Sequence, residues 1–333
     1  MQQEIVHQLP KVELHCHLDG SVPMETLKKL AAKQPFDMAL LDQIVAPAKC
    51  HDLEDYLKSF DITLQLMQTY DQLEESAFAT AKAVAMENVR YLELRFAPML
   101  HTESGMTIPE VIAAVSKGTQ RAMQQYDIRV NLLVCGMRQY SNEDNMAMLS
   151  QVMQTDESLV VGFDMAGPEP DRANDYIEPL TAFAQEELQI TLHSGECGCA
   201  HNVAQAIRLG AKRIGHGIAI QRDEQVQELC AATETVIELC PTSNIQTNAV
   251  ESWEEYPLLD FIDKGIKCCI NTDNRTVSQT TLTREYMLLA EHLGINYATM
   301  KSLNLNGVTG AFTTPEMKAE LSTVIAEAYA PYI

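Results

Sequence analysis

The chain has 333 residues, 46% of them hydrophobic and 21% charged, which is material for a large globular core and excludes a disordered or fibrous chain. Its 46 acidic residues against 24 basic ones give a formal charge of −22, so most of its surface repels phosphate backbones, and neither nucleic acid nor an anionic membrane is expected as a partner. The nine cysteines, an odd number, suit reduced buried thiols better than a disulfide framework.

The first seven residues carry neither a basic region followed by an apolar core nor a small-residue cleavage site, and no apolar run nears the roughly 20 residues of a spanning helix. A cytoplasmic protein is expected. The first expected strand, residues 12–15, leads into His15-Cys16-His17-Leu18-Asp19-Gly20-Ser21. Side chains alternate along a strand, so His15 and His17 project to one side, where two imidazoles can share a metal. A long gap comes next, read as a helical insertion over about 24–85. Within it Leu53, Tyr56, Leu57, Phe60 and Leu64 recur at helical spacing as one apolar stripe, either packed on the body of the protein or forming a lid over the mouth beside the first strand.

Further short apolar stretches at 91–96, 130–135, 160–163, 190–193, 213–215, 235–239 and 267–270 bring the expected strands to eight. Helical patterns at 108–126, 177–188, 202–209 and 223–232 separate them, the alternation of βα units on parallel strands. Eight such units predict one (β/α)₈ barrel spanning 1–333 as a single domain, with a doubly wound open sheet as the alternative. No repeat, low-complexity tract or linker marks a boundary.

In a barrel the C-terminal ends of the strands line the active site, so the residues that close each apolar run are the ones placed for chemistry. The first run ends in His15 and His17, the fourth in Asp164-Met165-Ala166-Gly167, the fifth in His193-Ser194-Gly195-Glu196, the sixth in Gly215-His216-Gly217, the seventh in Cys240-Pro241-Thr242-Ser243-Asn244 and the eighth in Asn271-Thr272-Asp273-Asn274. Neutral imidazoles with one carboxylate suit zinc, with iron or manganese as competitors, and His15, His17, His193 and Asp273 are the expected ligands of one ion per chain. Such a site lowers the pKa of water from 15.7 to about 7. Glu196, three residues after His193, is the expected proton shuttle, and His216, between glycines, is placed to orient the nucleophile and stabilise the attacked oxygen. Any one of these motifs alone is unspecific; their convergence on separate strand ends is the pattern a metallohydrolase needs. Cys197-x-Cys199 with His201 lacks the spacing of a structural zinc site.

Those motifs, with Arg213-Ile214-Gly215-His216-Gly217 and the stretch Tyr91-Leu92-Glu93-Leu94-Arg95-Phe96-Ala97-Pro98, resemble the adenosine deaminase family of the amidohydrolase superfamily from about residue 10 to the end. The resemblance implies zinc-dependent deamination of adenosine and 2′-deoxyadenosine to the inosine nucleosides and ammonia, a purine salvage reaction, with a purine nucleoside as the small-molecule partner. It assigns His15, His17, His193 and Asp273 to zinc, Glu196 to protonation of ring nitrogen N1 and His216 to positioning hydroxide. It places His17, Asp19, Gly167 and Asn274 against the substrate, Asp19 at a ribose hydroxyl and Gly167 at the purine through its backbone. Leu53, Tyr56, Leu57 and Phe60 resemble the family's mobile hydrophobic gate. One departure stands out: where members usually carry a second aspartate, facing purine N7, this chain has Asn274, followed by Arg275-Thr276-Val277-Ser278 instead of a proline. An amide donates without needing a proton but lacks the charge of Asp. The competing readings are a deaminase of another 6-aminopurine, a barrel metallophosphoesterase and an inactive nucleoside-binding barrel; the oligomeric state is not legible.

Overall fold

The computed structural model describes residues 1–51, 56–155, 157–196 and 198–333. Eight strands, β1 Lys11–His17, β2 Val89–Phe96, β3 Arg129–Met137, β4 Val160–Ala166, β5 Gln189–Ser194, β6 Arg213–His216, β7 Val236–Leu239 and β8 Cys268–Ile270, form a parallel sheet in sequence order. Their residues are buried nearly throughout, which is why they read as continuous β-branched and apolar runs instead of alternating ones. The sheet curls until β8 meets β1. There His17 N donates to Asp273 O at 2.7 Å and Asp273 N to His15 O at 2.9 Å, and the Asn271 side chain accepts from Leu14 N at 2.8 Å. Strand order and this seam make the architecture a (β/α)₈ barrel and exclude the doubly wound sheet.

Most strands run longer than their apolar cores. His17 and Asp164 therefore lie inside β1 and β4, past the expected strand ends, and His15 and His193 lie inside β1 and β5 as expected. The reason is chemical: the upper barrel interior is polar, so ladder pairing continues through residues that a sequence pattern takes for punctuation.

The ring helices start where local chemistry starts them. Thr107 and Glu110 form a capping box for Ile108–Gln125, and Thr69 and Gln72 form one for Tyr70–Ala85. Tyr70–Ala85 packs along Ile108–Gln125 and against β2. It belongs to the outer ring, so the part of the 24–85 insertion available to cover the mouth ends before it. That part includes Met24–Ala31 and Phe60–Leu64. Leu53 lies outside the described residues. The helix Tyr297–Gly310 covers the β8–β1 seam from outside, with Asn304 Oδ1 accepting from Val12 N at 3.0 Å. No helix among the described residues is long and apolar enough to cross a membrane.

Candidate active site and metal centre

The barrel axis is an ion network in place of the branched aliphatic layers usual for this architecture. Arg95 on β2 reaches Asp164 on β4 at 2.7 Å and Glu238 on β7 at 2.8 Å. Arg213 on β6 joins Glu238 to Glu93 on β2, and all five side chains are fully buried. Burial alone would raise the Glu238 carboxyl, but the Arg95 and Arg213 guanidiniums outweigh it and hold it well below the usual carboxylate range. Asp164 is likewise held low against burial, by His193 and Arg95.

On this network stand the histidines. His15 Nδ1 lies 2.8 Å from Glu238 Oε2, and His193 Nδ1 lies 2.7 Å from Asp164 Oδ2. At His15 the carboxylate acceptor fixes the ring proton on Nδ1 and turns the Nε2 lone pair outward. His15 Nε2 has no hydrogen-bond donor and sits 3.3 Å from Asp273 Oδ1; His193 Nε2 faces His17 Nε2 at 3.2 Å, and His17 Nε2 is 3.4 Å from Asp273 Oδ1. The ligand atoms of His15, His17, His193 and Asp273 all lie within 4.8 Å of one another. Burial and Arg95 oppose a charge on His15, yet Asp273 and Glu238 draw its pKa up. The connected network sets two guanidiniums against the four carboxylates of Glu93, Asp164, Glu238 and Asp273. Two negative charges are left for a divalent cation to match, so the donor set fits one. A second cluster, His15 with His216 and Cys240, converges as closely, and burial and the charges of Asp273 and Glu238 hold the Cys240 thiol well above its ordinary value.

His216 ends β6 with φ of 65°, and Asp273 has φ of 61°, left-handed backbone that a residue with a Cβ adopts only under constraint from its surroundings. Gly215 lets β6 approach the ligands: a Cβ there would stand 3.0 Å from His15 Cε1. Asn244 orients His216. Its Oδ1 accepts from Tyr256 OH at 3.0 Å, so its Nδ2 donates to His216 Nδ1 at 2.9 Å. Nδ1 is thereby an acceptor and Nε2 carries the proton. Burial lowers the His216 pKa well below its ordinary value despite Asp273, so the ring is neutral and presents an N–H to the cavity. His216 is a hydrogen-bond donor here and not a base.

Glu196 is held by its main chain, because Glu169 accepts from Gly195 N at 2.7 Å and from Glu196 N at 3.0 Å. Burial, then Asp273 and Glu169, push its carboxyl well above the usual range against a hydrogen bond from Thr247, which favours the protonated acid. Its Oε2 is 3.6 Å from His216 Nε2. Ser243 donates to Asp273 Oδ2 at 2.7 Å and leaves Oδ1 toward the histidines.

The cavity above these groups measures about 200 Å³ and brings together His17, Asp19, Gly167, Glu196, His216, Asp273 and Asn274 with Tyr56, Leu57 and Phe60. Asp19 Oδ1 is buried without a partner, and burial pushes its carboxyl up to about 6 against the N–H groups of Asp19 and Gly20. The groups missed from the sequence were Glu238, Arg95, Arg213, Glu93 and Glu169. For Glu238, Arg95 and Glu93 the signal was a charged residue inside an apolar run, whereas Arg213 opens its strand directly after Lys212. His201 is engaged by Asp175 at 2.7 Å.

Beside the short helix Pro241–Gln246 that carries Ser243 and Asn244, buried Glu285 accepts from Thr242 N at 3.0 Å and from the Thr280 hydroxyl. Burial pushes this carboxyl up to about 7 against those hydrogen bonds. A carboxyl raised on folding contributes stability that is complete below its unfolded value and lost as pH climbs through the folded one. Melting temperature should therefore decline between about pH 5 and 8, and Glu285→Gln should flatten the decline. An unchanged slope in the variant would exclude Glu285 as its source.

Residues 10–328 match the family model described as adenosine deaminase. An adenosine deaminase of Enterococcus faecalis strain V583 is 43% identical over 335 residues, which cover 99% of this chain and 99% of that protein. Among solved structures, an amidohydrolase from Burkhoderia ambifaria with bound Zn superposes with a TM-score of 0.92 at 25% identity, over 99% of this chain and 93% of that one. An adenine deaminase from Arthrobacter aurescens gives 0.90 at 22% identity, over 96% and 98%.

Proposed function

The chain belongs to the adenosine deaminase family of hydrolytic deaminases, and we propose that it converts adenosine and 2′-deoxyadenosine to the inosine nucleosides and ammonia, with one zinc ion held by His15, His17, His193 and Asp273. When bound, the ion supplies Lewis acidity that brings the pKa of water from 15.7 to about 7 and so provides the nucleophile at neutral pH. The residues do the rest. Glu196, protonated by its burial, delivers its proton to purine N1 as the C6–O bond forms. His216, neutral with its proton on Nε2, donates to the attacking oxygen and stabilises the charge that develops on it. The C6–N6 bond then breaks, the amine takes up a proton and ammonia leaves.

Asp19 and Gly167 both line the cavity, Asp19 read as the sugar contact and Gly167 as the base contact, and the partnerless Oδ1 of Asp19 suits a ribose hydroxyl as donor. Free adenine would leave that buried acceptor unpaired, which favours a nucleoside over the base. Leu57 and Phe60 give the cavity an apolar cover, and Leu53 extends the same sequence stripe, in keeping with a gate. Cys16, Cys135, Cys230, Cys240, Cys268 and Cys269 are buried thiols, in keeping with a reducing cytoplasmic setting for nucleoside salvage.

The observation that carries this reading is that a buried protonated acid and a neutral imidazole N–H face one cavity beside a four-ligand cluster. A panel of adenosine, 2′-deoxyadenosine, adenine and N6-methyladenosine, run with zinc-loaded and chelator-treated protein, tests it. Adenosine and its deoxy form should turn over best, and chelation should abolish turnover until zinc is restored. Faster turnover of adenine would move the assignment to the free base, and an inert panel would leave a nucleoside-binding barrel.

A further inference from the structure

We infer that ammonia leaves by its own route: a second cavity behind Glu196, framed by the segments that follow β5, β6 and β7, carries it to solvent while the nucleoside product still fills the covered mouth. The inference rests on the proposed reading that a 6-aminopurine nucleoside is deaminated in the first cavity.

The mouth is poorly suited to this release. Glu196, His216 and Asp273 lie at its deep end, and Leu57, Phe60 and Leu64 cover it. The cover is tied down on two sides. The Tyr56 hydroxyl lies 2.7 Å from Ser278 Oγ on the loop after β8, and Gln68 Nε2 donates to Leu64 O at 3.0 Å and to Leu100 O, in the turn after β2, at 2.8 Å. Ammonia formed at C6 is beneath the product, and the way up passes apolar side chains that offer it no hydrogen bond.

The second cavity measures about 320 Å³, room for several molecules the size of water at about 30 Å³ each. Among the described residues, Glu196 alone lines both cavities. Ile218 and Val250, both buried, wall the inner part, and the exposed Arg222, Asn248, Glu251 and Glu255 mark the outer end. Asp19, Gly167 and Asn274 do not border it, so it reaches solvent without passing the nucleoside. Its frame is bonded from strand to strand. Ala219 N donates to Gly195 O at 2.7 Å, joining the β6 segment to the β5 loop, and Gln221 Nε2 donates to Glu255 O at 2.9 Å, joining it to the segment after β7.

The chemistry places the amine at this partition. N6 is carried by C6, the ring neighbour of N1, so the acid at N1 also stands beside the departing nitrogen. Glu169 clamps the backbone N–H groups of Gly195 and Glu196 and not the carboxyl, so the Glu196 side chain can turn without releasing its loop. Turning joins the two cavities. Ammonia then meets the Asn248 amide and the carboxylates of Glu251 and Glu255, which outnumber Arg222 and favour the ammonium that it becomes in water.

Filling the second cavity tests this. Ala249 lines it and does not border the substrate cavity. In Ala249→Met and Ala249→Trp, kcat for adenosine should fall by about threefold and about tenfold. The rate of inosine formation in a single turnover should stay at the wild-type value, as should the Ki of purine riboside, which carries hydrogen in place of the 6-amino group and has no amine to release. A burst of inosine near one per site should then precede the slower steady state. Adding Ile218→Ala, which returns space to the cavity, should bring kcat back toward the wild type although it removes buried side-chain volume. A single-turnover rate that falls together with kcat would mean that the substitutions displace Glu196 and would overturn the inference, as would no recovery with Ile218→Ala. An unchanged kcat in Ala249→Met, and in Ala249→Trp where its melting temperature shows it folded, would overturn it too. Wild-type protein that releases no ammonia from adenosine would instead overturn the functional reading itself.

Discussion

Replacing Glu196 by glutamine should lower kcat by about 10²–10⁴-fold, the usual contribution of a positioned general acid, with KM changed only a few-fold. The amide keeps the size of the side chain and leaves the clamp from Glu169 intact, because Glu169 holds the backbone N–H groups of Gly195 and Glu196 and not the carboxyl. What disappears is the proton whose retention burial, Asp273 and Glu169 favour. The wild-type rate should fall on the alkaline side as Glu196 ionises, and that limb should be missing from whatever rate the variant keeps. Zinc content and melting temperature should match the wild type or exceed it, since a buried carboxyl is costly to the fold. Steady-state kinetics across pH, with metal analysis of the same samples, decides the matter. A variant with wild-type kcat would move the proton to another group.

The residues that face the cavity are largely legible in the sequence, because each interrupts or closes an apolar run. His15 and His17 are readable as a pair from strand alternation alone, and their rings do lie on one side, with centroids 5.3 Å apart. The barrel is readable from the βα alternation. The support beneath the ligands is not. Arg95 and Glu238 are visibly out of place in apolar strands, but that Arg95 meets Asp164 and Glu238, and that Glu238 meets His15, depends on how far the sheet curls before β8 reaches β1. No local pattern encodes that closure. The same holds for Tyr56 and Ser278, separated by 222 positions, and for the Asn244 amide whose direction sets the His216 tautomer. Helical periodicity marks Tyr56 as apolar cover because periodicity describes faces and is blind to where one hydroxyl ends up. The expected insertion is too long for a related reason: Tyr70–Ala85 is a ring helix, and its sequence carries the same amphipathic signal as a lid helix would.

That hidden framework carries the second large effect. Glu238→Gln should destabilise the fold by about 3–5 kcal/mol, the cost of breaking a buried ion pair from one side, because Arg95 and Arg213 both lose charge compensation where water cannot replace it. At roughly 2.1 cal/mol/K of unfolding entropy per residue, that corresponds to a melting temperature lower by about 4–7 °C for a chain of this length. Glu238 also accepts from Thr191 Oγ at 2.9 Å and from His15 Nδ1 at 2.8 Å, so the substitution weakens the anchor that fixes the His15 tautomer. Metal affinity should drop about 10–100-fold, as expected when the partner of a ligating histidine is removed. The two losses separate by titration. Excess zinc should restore much of the activity, because occupancy is what the His15 anchor controls, and should recover only part of the melting temperature, because Arg95 and Arg213 each keep only one of their two carboxylates. The exposed pair Lys267–Glu234, at 2.9 Å, serves as control: Glu234→Gln should shift stability by no more than about 0.5 kcal/mol. A Glu238→Gln protein that melts with the wild type would mean that the axial network is not what stabilises the barrel, and one that binds zinc as tightly would detach Glu238 from the metal site.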